Sequence, residues 1–257
     1  MVVYLLTAAC AIGVVLLASR LAAGRLGRRG TDDGEPGGAT AGHAGSMISA
    51  LFLLAFAVAI VVPWTTADAA RLNTYTEAQA ITEAYWAAER LPAGPKEHAR
   101  AALVDYARFV RDEEWPRMAE GRLSPGGWTR LDAVRREIIA LPAPEDEIKD
   151  ARAAFLEQVT AISAARHQRA MDAGTRPPPA LLVITAVTGL LVVLFPFLAG
   201  ARPRGLAALP LALMAGLLAV GVYLAVDISH TFTGGLGVGP DAFGAALEEI
   251  KRVSGGS

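Results

Sequence analysis

The stretch MISALFLLAFAVAIVVPW, residues 47–64, decides the fold. It carries no charge from Met47 to Val62 and is closed by Pro63 and by Trp64, an aromatic residue suited to a membrane–water interface. Immediately after it the composition changes, and Trp64 to Pro179 is polar and helix-patterned. Three further uncharged apolar runs lie outside this block: Met1 to Ser19, Ala180 to Ala199 with Pro196 inside it, and Leu206 to Val226. At 1.5 Å per residue such runs match a hydrocarbon layer of about 30 Å. The expected fold class is all-α, a polytopic membrane protein with four transmembrane helices and a helical-bundle domain inserted between the second and third.

That division sets the expected domains. Residues 1–63 hold transmembrane helices 1 and 2 with a Gly/Arg-rich cytoplasmic loop, and residues 64–179 form a soluble helical bundle. Residues 180–229 hold helices 3 and 4, and residues 230–257 a glycine-rich tail with a short amphipathic helix, Asp241 to Val253. Met1 to Ser19 reads as a spanning helix rather than an export signal, because its arginines follow the apolar run instead of preceding it.

Composition agrees with a mixed membrane and water-exposed protein: of 257 residues 53% are hydrophobic and 19% charged. A formal net charge of −1 excludes the concentrated basic surface that nucleic-acid binders need, so no nucleic acid is expected as a partner. The single cysteine, Cys10, excludes an intramolecular disulfide and, inside an apolar run, is expected to be a buried, inert thiol.

Orientation follows from basic residues near the span ends. Arg20, Arg25, Arg28 and Arg29 follow the first run, and Arg202 and Arg204 separate the third from the fourth. Both short loops are therefore expected in the cytoplasm of a cell-membrane protein, with the bundle and both termini extracytoplasmic. Gly30 to Gly45 has no apolar period and reads as a flexible loop.

The polar block is helical throughout. Ala78, Ile81, Tyr85 and Ala88 keep one apolar stripe, as do Ala99, Leu103, Tyr106 and Val110, then Leu131, Val134 and Ile138, then Ile148, Ala151, Phe155 and Val159. Proline- and glycine-rich breaks at 91–95, 124–127, 141–144 and 176–179 separate them. The first and last of these helices are expected to run on from the neighbouring spans as a stalk, with kinks at Pro63 and at Pro177 to Pro179.

Chemistry is sparse. His43, His98, His167 and His230 are scattered without metal-ligand spacing, and no nucleophile elbow or phosphate loop occurs. Neither an enzyme, a catalytic residue, a metal nor a cofactor is expected. Three places merit a role. Phe52 and Phe56, one turn apart on the second span, would form a hydrophobic constriction if that helix lines a pore, and are otherwise lipid or helix contacts. Asp227 closes the fourth span and suits a pore mouth or an ion pair with Arg176. The segment YARFVRDEEWPRMAEGRLSP, residues 106–125, turns a corner at Glu114 and Trp115. There the carboxylates are expected to pair with Arg111, Arg117 or Arg122, as a structural corner or facing a ligand or ion.

Tyr106, Glu114-Trp115 and Gly121 before Ser124, then Arg166 and Arg169, then Asp227, Phe232 and Gly234 form an ordered set over nearly the whole chain. This set resembles the bacterial DUF4239 family, the bestrophin-like domain proteins. The resemblance implies a polytopic membrane protein of the same layout. Its remoter link to bestrophins, pentameric anion channels with cytoplasmic soluble domains, implies a homo-oligomer in membrane lipid that passes inorganic ions, with the second span lining the pore. Against it stands the arginine bias, which places the corresponding parts outside. The expected function is therefore an oligomeric ion channel, or alternatively a membrane-anchored interaction or sensor module with an extracytoplasmic helical bundle and no transport activity.

Overall fold

The structure, a computed structural model, describes residues 6–7, 9–14, 17, 38–118, 120–175, 177–199 and 208–255. Among them every regular element is helical and no strand occurs. Helix α1 spans Gly38–Ala87 and passes through a 3-10 turn, Ala88–Arg90. Helix α2, Ala93–Phe109, continues into a π-turn, Val110–Glu114, and the short helix α3, Trp115–Met118. Then come α4 (Pro125–Ile139), α5 (Asp146–Gly174), α6 (Pro179–Leu198), α7 (Ala208–Ile228) and α8 (Asp241–Ser254). The described residues between 6 and 17 are helical as well.

The chain divides into two compact units, Met1–Trp64 with Pro177–His230, and Thr65–Arg176 with Thr231–Ser257. In the first, an inverted pattern operates. Large aliphatic side chains such as Leu54, Val183, Leu190, Leu213 and Leu217 are exposed, whereas Ala55, Ala59, Thr185, Gly189, Ala212 and Gly216 are buried. Lipid is as apolar as leucine, so helices in a bilayer gain by close approach at small residues instead. Among the described residues three helices are long and apolar enough to cross a membrane, those carrying the runs in α1, α6 and α7.

The second unit is built in the opposite sense. Ile81 and Tyr85 of α1, Leu103 of α2, Leu131 and Ile138 of α4, Phe155 and Ile162 of α5, and Phe243 and Ile250 of α8 share one hydrophobic core. Each such side chain contributes about 1.5–3 kcal/mol by leaving water. Ser124 caps α4, its Oγ accepting from Gly126 N, and Pro125 opens the helix where its missing N–H costs nothing.

Several expectations change. Gly38 to Gly45 is helix, not loop; a Cβ on Gly45 would lie 2.7 Å from the Phe195 ring, so the glycine serves close helix packing. The rest of that loop, Gly30 to Gly37, and Arg20, Arg25, Arg28, Arg29, Arg202 and Arg204 lie outside the described residues, as does most of Met1 to Ser19. Cys10 is exposed, not buried. Pro63 sits inside α1 without ending it, whereas α5 and α6 are separate, with Thr175 and Pro178 in extended backbone. Of residues 230–257, set apart as a tail by composition, all but His230 belong to the second unit, where α8 carries its apolar face, Phe243, Ala246 and Ile250, into the interior.

Candidate functional site

The charged residues that matter lie on the same helical phase as the apolar stripes. On α5 the buried series Ala151, Phe155, Val159 and Ile162 continues at Arg166 and Arg169. On α1 Ala70, Thr74 and Ile81 flank Glu77, and on α2 Leu103 leads to Tyr106. A helical stripe buries whatever occupies it, so Glu77, Tyr106, Arg166 and Arg169 are drawn into one interior.

Glu114 is delivered there by the π-turn. The wider i→i+5 winding accommodates an extra residue and turns the chain so that Val110, Glu114 and Trp115 all face inward. The side chains of Glu77, Glu114, Arg166 and Arg169 are fully buried. Arg166 grips Glu114 with both terminal nitrogens, Nη1 to Oε1 at 2.8 Å and Nη2 to Oε2 at 2.5 Å. Arg169 grips Glu77 edge-on instead, Nε to Oε2 at 2.7 Å and Nη2 to Oε1 at 3.0 Å. The pairs are joined twice: Arg169 Nη2 also donates to Glu114 Oε1 at 2.9 Å, and the Tyr106 hydroxyl donates to Glu77 Oε1 at 2.5 Å while accepting from Arg166 Nη1 at 3.3 Å.

The periphery completes the arrangement. Glu114 Oε2 accepts from Ser124 N, the Ser124 carbonyl accepts from Arg166 Nη2, and Met118 Sδ takes a contact from Arg169 Nη1. Arg166 lies over the Trp128 ring, Arg169 over those of Trp115 and Phe243. Of all these donors Arg166 Nε alone finds no partner among the described residues. Two arginines against two glutamates make the cluster neutral, which is the condition under which buried charge survives at all. Burial by itself would raise the Glu114 carboxyl, but hydrogen bonds from Arg166 and the charge of Arg169 outweigh it and hold the group below the usual carboxylate range. Burial, with the Glu77 charge added, pushes the Tyr106 hydroxyl well above the usual tyrosine value and keeps it a neutral donor.

Space around Arg166 is fully used. A Cβ on Gly127 would come within 2.3 Å of the guanidinium, which is pinned and cannot retreat without releasing Glu114. Gly127→Ala is expected to cost about 1–3 kcal/mol, as overpacking of a filled interior does. Gly94→Ala, with nothing within 4 Å in the exposed first turn of α2, is expected to be neutral or slightly stabilising. Thermal melts of the two variants, monitored by circular dichroism, check the contrast.

The predicted corner is thus the centre of the site, but with other partners. Arg111 pairs with Asp112 and Arg122 with Glu120, both at the surface, and Arg117 Nη1 donates to Ser124 Oγ. Glu77 was missed by sequence reasoning, and its signal was a carboxylate on an otherwise apolar helical phase. Gly121 and Gly234 have φ of 78° and 87°, a region that side-chain-bearing residues rarely adopt.

Phe52 and Phe56 stack on one another with centroids 5.5 Å apart. Phe52 is only 4% exposed, its ring against Gly189, and the Phe56 ring meets Gly221, so both point at helices of the same chain. They line an apolar cleft of about 430 Å³ with Leu213 and Leu217. Asp227 is half-buried in the last turn of α7; Arg176 lies outside the described residues. His98 meets Glu137 and His167 stacks near Trp128. Among the described residues no three His, Cys, Asp or Glu side chains gather as a metal site would require.

Among the described residues the chain is all-helical, with apolar helices long enough to cross a membrane and a water-suited core centred on paired buried arginines and glutamates, which is the build of a membrane protein with a folded polar unit. The chain belongs to the bestrophin-like domain family, whose profile matches residues 5–243 and so takes in both compact units. It is a membrane protein of that family. No curated protein and no solved structure matches the chain.

Proposed function

We propose that the protein is a homo-oligomeric ion channel of the cell membrane. In this reading four helices cross the bilayer, the first within Met1 to Ser19, and the polar unit and both termini face outward. The match to the bestrophin-like domain carries it. The geometry supports the oligomeric part. Hydroxyls on α6 are spent inside the chain, Thr185 donating to Leu181 O and Ala55 O and Thr188 to Ile184 O. The clefts between the apolar helices are lined almost wholly by hydrocarbon. An ion needs polar groups or water along its path, so the path in this reading lies between copies. Phe52, seated on Gly189, then acts on the pore by fixing where the second apolar run of α1 lies.

Purified protein reconstituted in liposomes is expected to be oligomeric and to release a chloride or potassium gradient, and Phe52→Ala to change the rate. Well-folded protein that conducts neither ion, or remains monomeric, would overturn the proposal. The alternative, a membrane-anchored interaction module, is favoured by one feature of the polar unit: Leu72, Tyr75 and Trp86 stand exposed along α1. It predicts a bound protein partner lost on Trp86→Ala, with no flux.

A further inference from the structure

The first unit contains a second apolar cleft, of about 470 Å³, walled by Cys10 and Val14, by Leu190 and Phe197 of α6, and by Ala219 and Tyr223 of α7. We infer that it is a binding site for one hydrocarbon chain of a membrane lipid, with the headgroup at the Tyr223 end.

Three observations lead there. The first is the lining. Small residues, Ala186 on α6 and Ala215 and Ala219 on α7, line the cleft where larger side chains would fill it. A void of this size left empty forfeits the dispersion contacts of every wall atom. Water does not fill it favourably, because each buried water needs two to four polar partners and, beside the weakly polar Cys10 thiol, the lining side chains offer only the Thr7 hydroxyl and the Tyr223 phenol.

The second is location. The walls include α7 and the apolar run of α6, both suited by length and composition to cross a bilayer. The medium that reaches them is hydrocarbon, and it is the one available material whose chemistry matches the walls. The third is shape and polarity. From Ala215 to Val226 the cleft follows α7 for about 16 Å at 1.5 Å per residue, the form of an extended chain. Tyr223 lies towards one end of it, where α7 leads on to Asp227, Ser229 and His230.

The chain provides its own reporter, since Cys10 is its single cysteine, is exposed, and sits on the cleft wall. Full-length protein, stripped of lipid in detergent, is treated with N-ethylmaleimide with and without dipalmitoyl phosphatidylglycerol or free palmitate, and native mass spectra are recorded alongside. The expected result is severalfold slower alkylation of Cys10 with added lipid and one lipid adduct per chain. Protection by palmitate as well supports recognition of the chain alone; protection by the phospholipid only supports a bilayer lipid held also by its headgroup. Ala219→Phe fills the cleft and is expected to abolish the adduct, and Ala186→Leu does the same from the other wall. Leu209→Phe, on the exposed face of α7, is expected to keep it. An alkylation rate indifferent to both lipids in the wild-type chain would overturn the inference. So would protection that tracks protein concentration instead of lipid, which would make a second copy the occupant.

Discussion

Glu114→Ala is expected to lower the unfolding free energy by about 3–5 kcal/mol, because it leaves Arg166 buried, charged and without its carboxylate. Arg166→Met should cost about as much from the other side, by stranding Glu114. The double variant Glu114→Leu with Arg166→Met removes one charge of each sign, and the Glu77–Arg169 pair keeps its own balance. It is expected to recover most of the loss, since apolar groups of similar volume avoid the desolvation cost that the pair only offsets. Thermal melts of the detergent-solubilised full chain provide the check. The single variants should fall by roughly 10 °C, and a double variant as unstable as either single would refute the account.

The same network predicts a pH response. A carboxyl held below its ordinary value in the folded chain contributes stability that is complete above about pH 4.3 and is lost as pH falls through the depressed folded value. The wild-type melting temperature should therefore drop on acidification below about pH 4, and less steeply in the double variant.

The second large effect is expected at the opposite end of the chain. Phe243→Ala should cost about 3–5 kcal/mol, the range for deleting a buried aromatic ring. Phe243 is fully buried, packs edge-on against Trp115, and covers the Arg169 guanidinium. Its loss both opens a cavity and admits water to a charge that was dry. Glu248→Ala, on the opposite face of α8, should change stability by little, as exposed substitutions do. Equal melting temperatures for Phe243→Ala and wild type would mean that α8 is dispensable to the core.

How much of this was legible beforehand differs by level. The apolar runs predicted α6 and α7 to within two residues at either end, and the breaks at 124–127 and 141–144 fell where α4 begins and α5 has yet to start. Such signals are local, set by periodicity and by proline. The Glu114–Trp115 corner was legible as a place, yet its partners were not. Arg111 and Arg122 are nearer in sequence, but they lie on exposed turns, whereas Arg166 is 52 residues away and on the core phase of α5. Helical phase was the usable signal: charges at 77, 166 and 169 interrupt stripes that are otherwise apolar. The π-turn had no signal, for a one-residue change of winding leaves composition untouched. The helical start of α1 at Gly38 was hidden because glycine permits loops without requiring them.

Chain order gives the buried network a consequence for biogenesis. Glu77 and Arg169 are 92 residues apart, and Phe243, which covers Arg169, is encoded only after the apolar segments of α6 and α7. Closing such long loops is slow compared with forming the helices themselves. During synthesis the partners of both arginines emerge by residue 169, but the face of Arg169 that Phe243 covers has no cover from that ring until α8 has emerged. Complete burial of Arg169 is thus a late event, one that waits for the last helix of the chain.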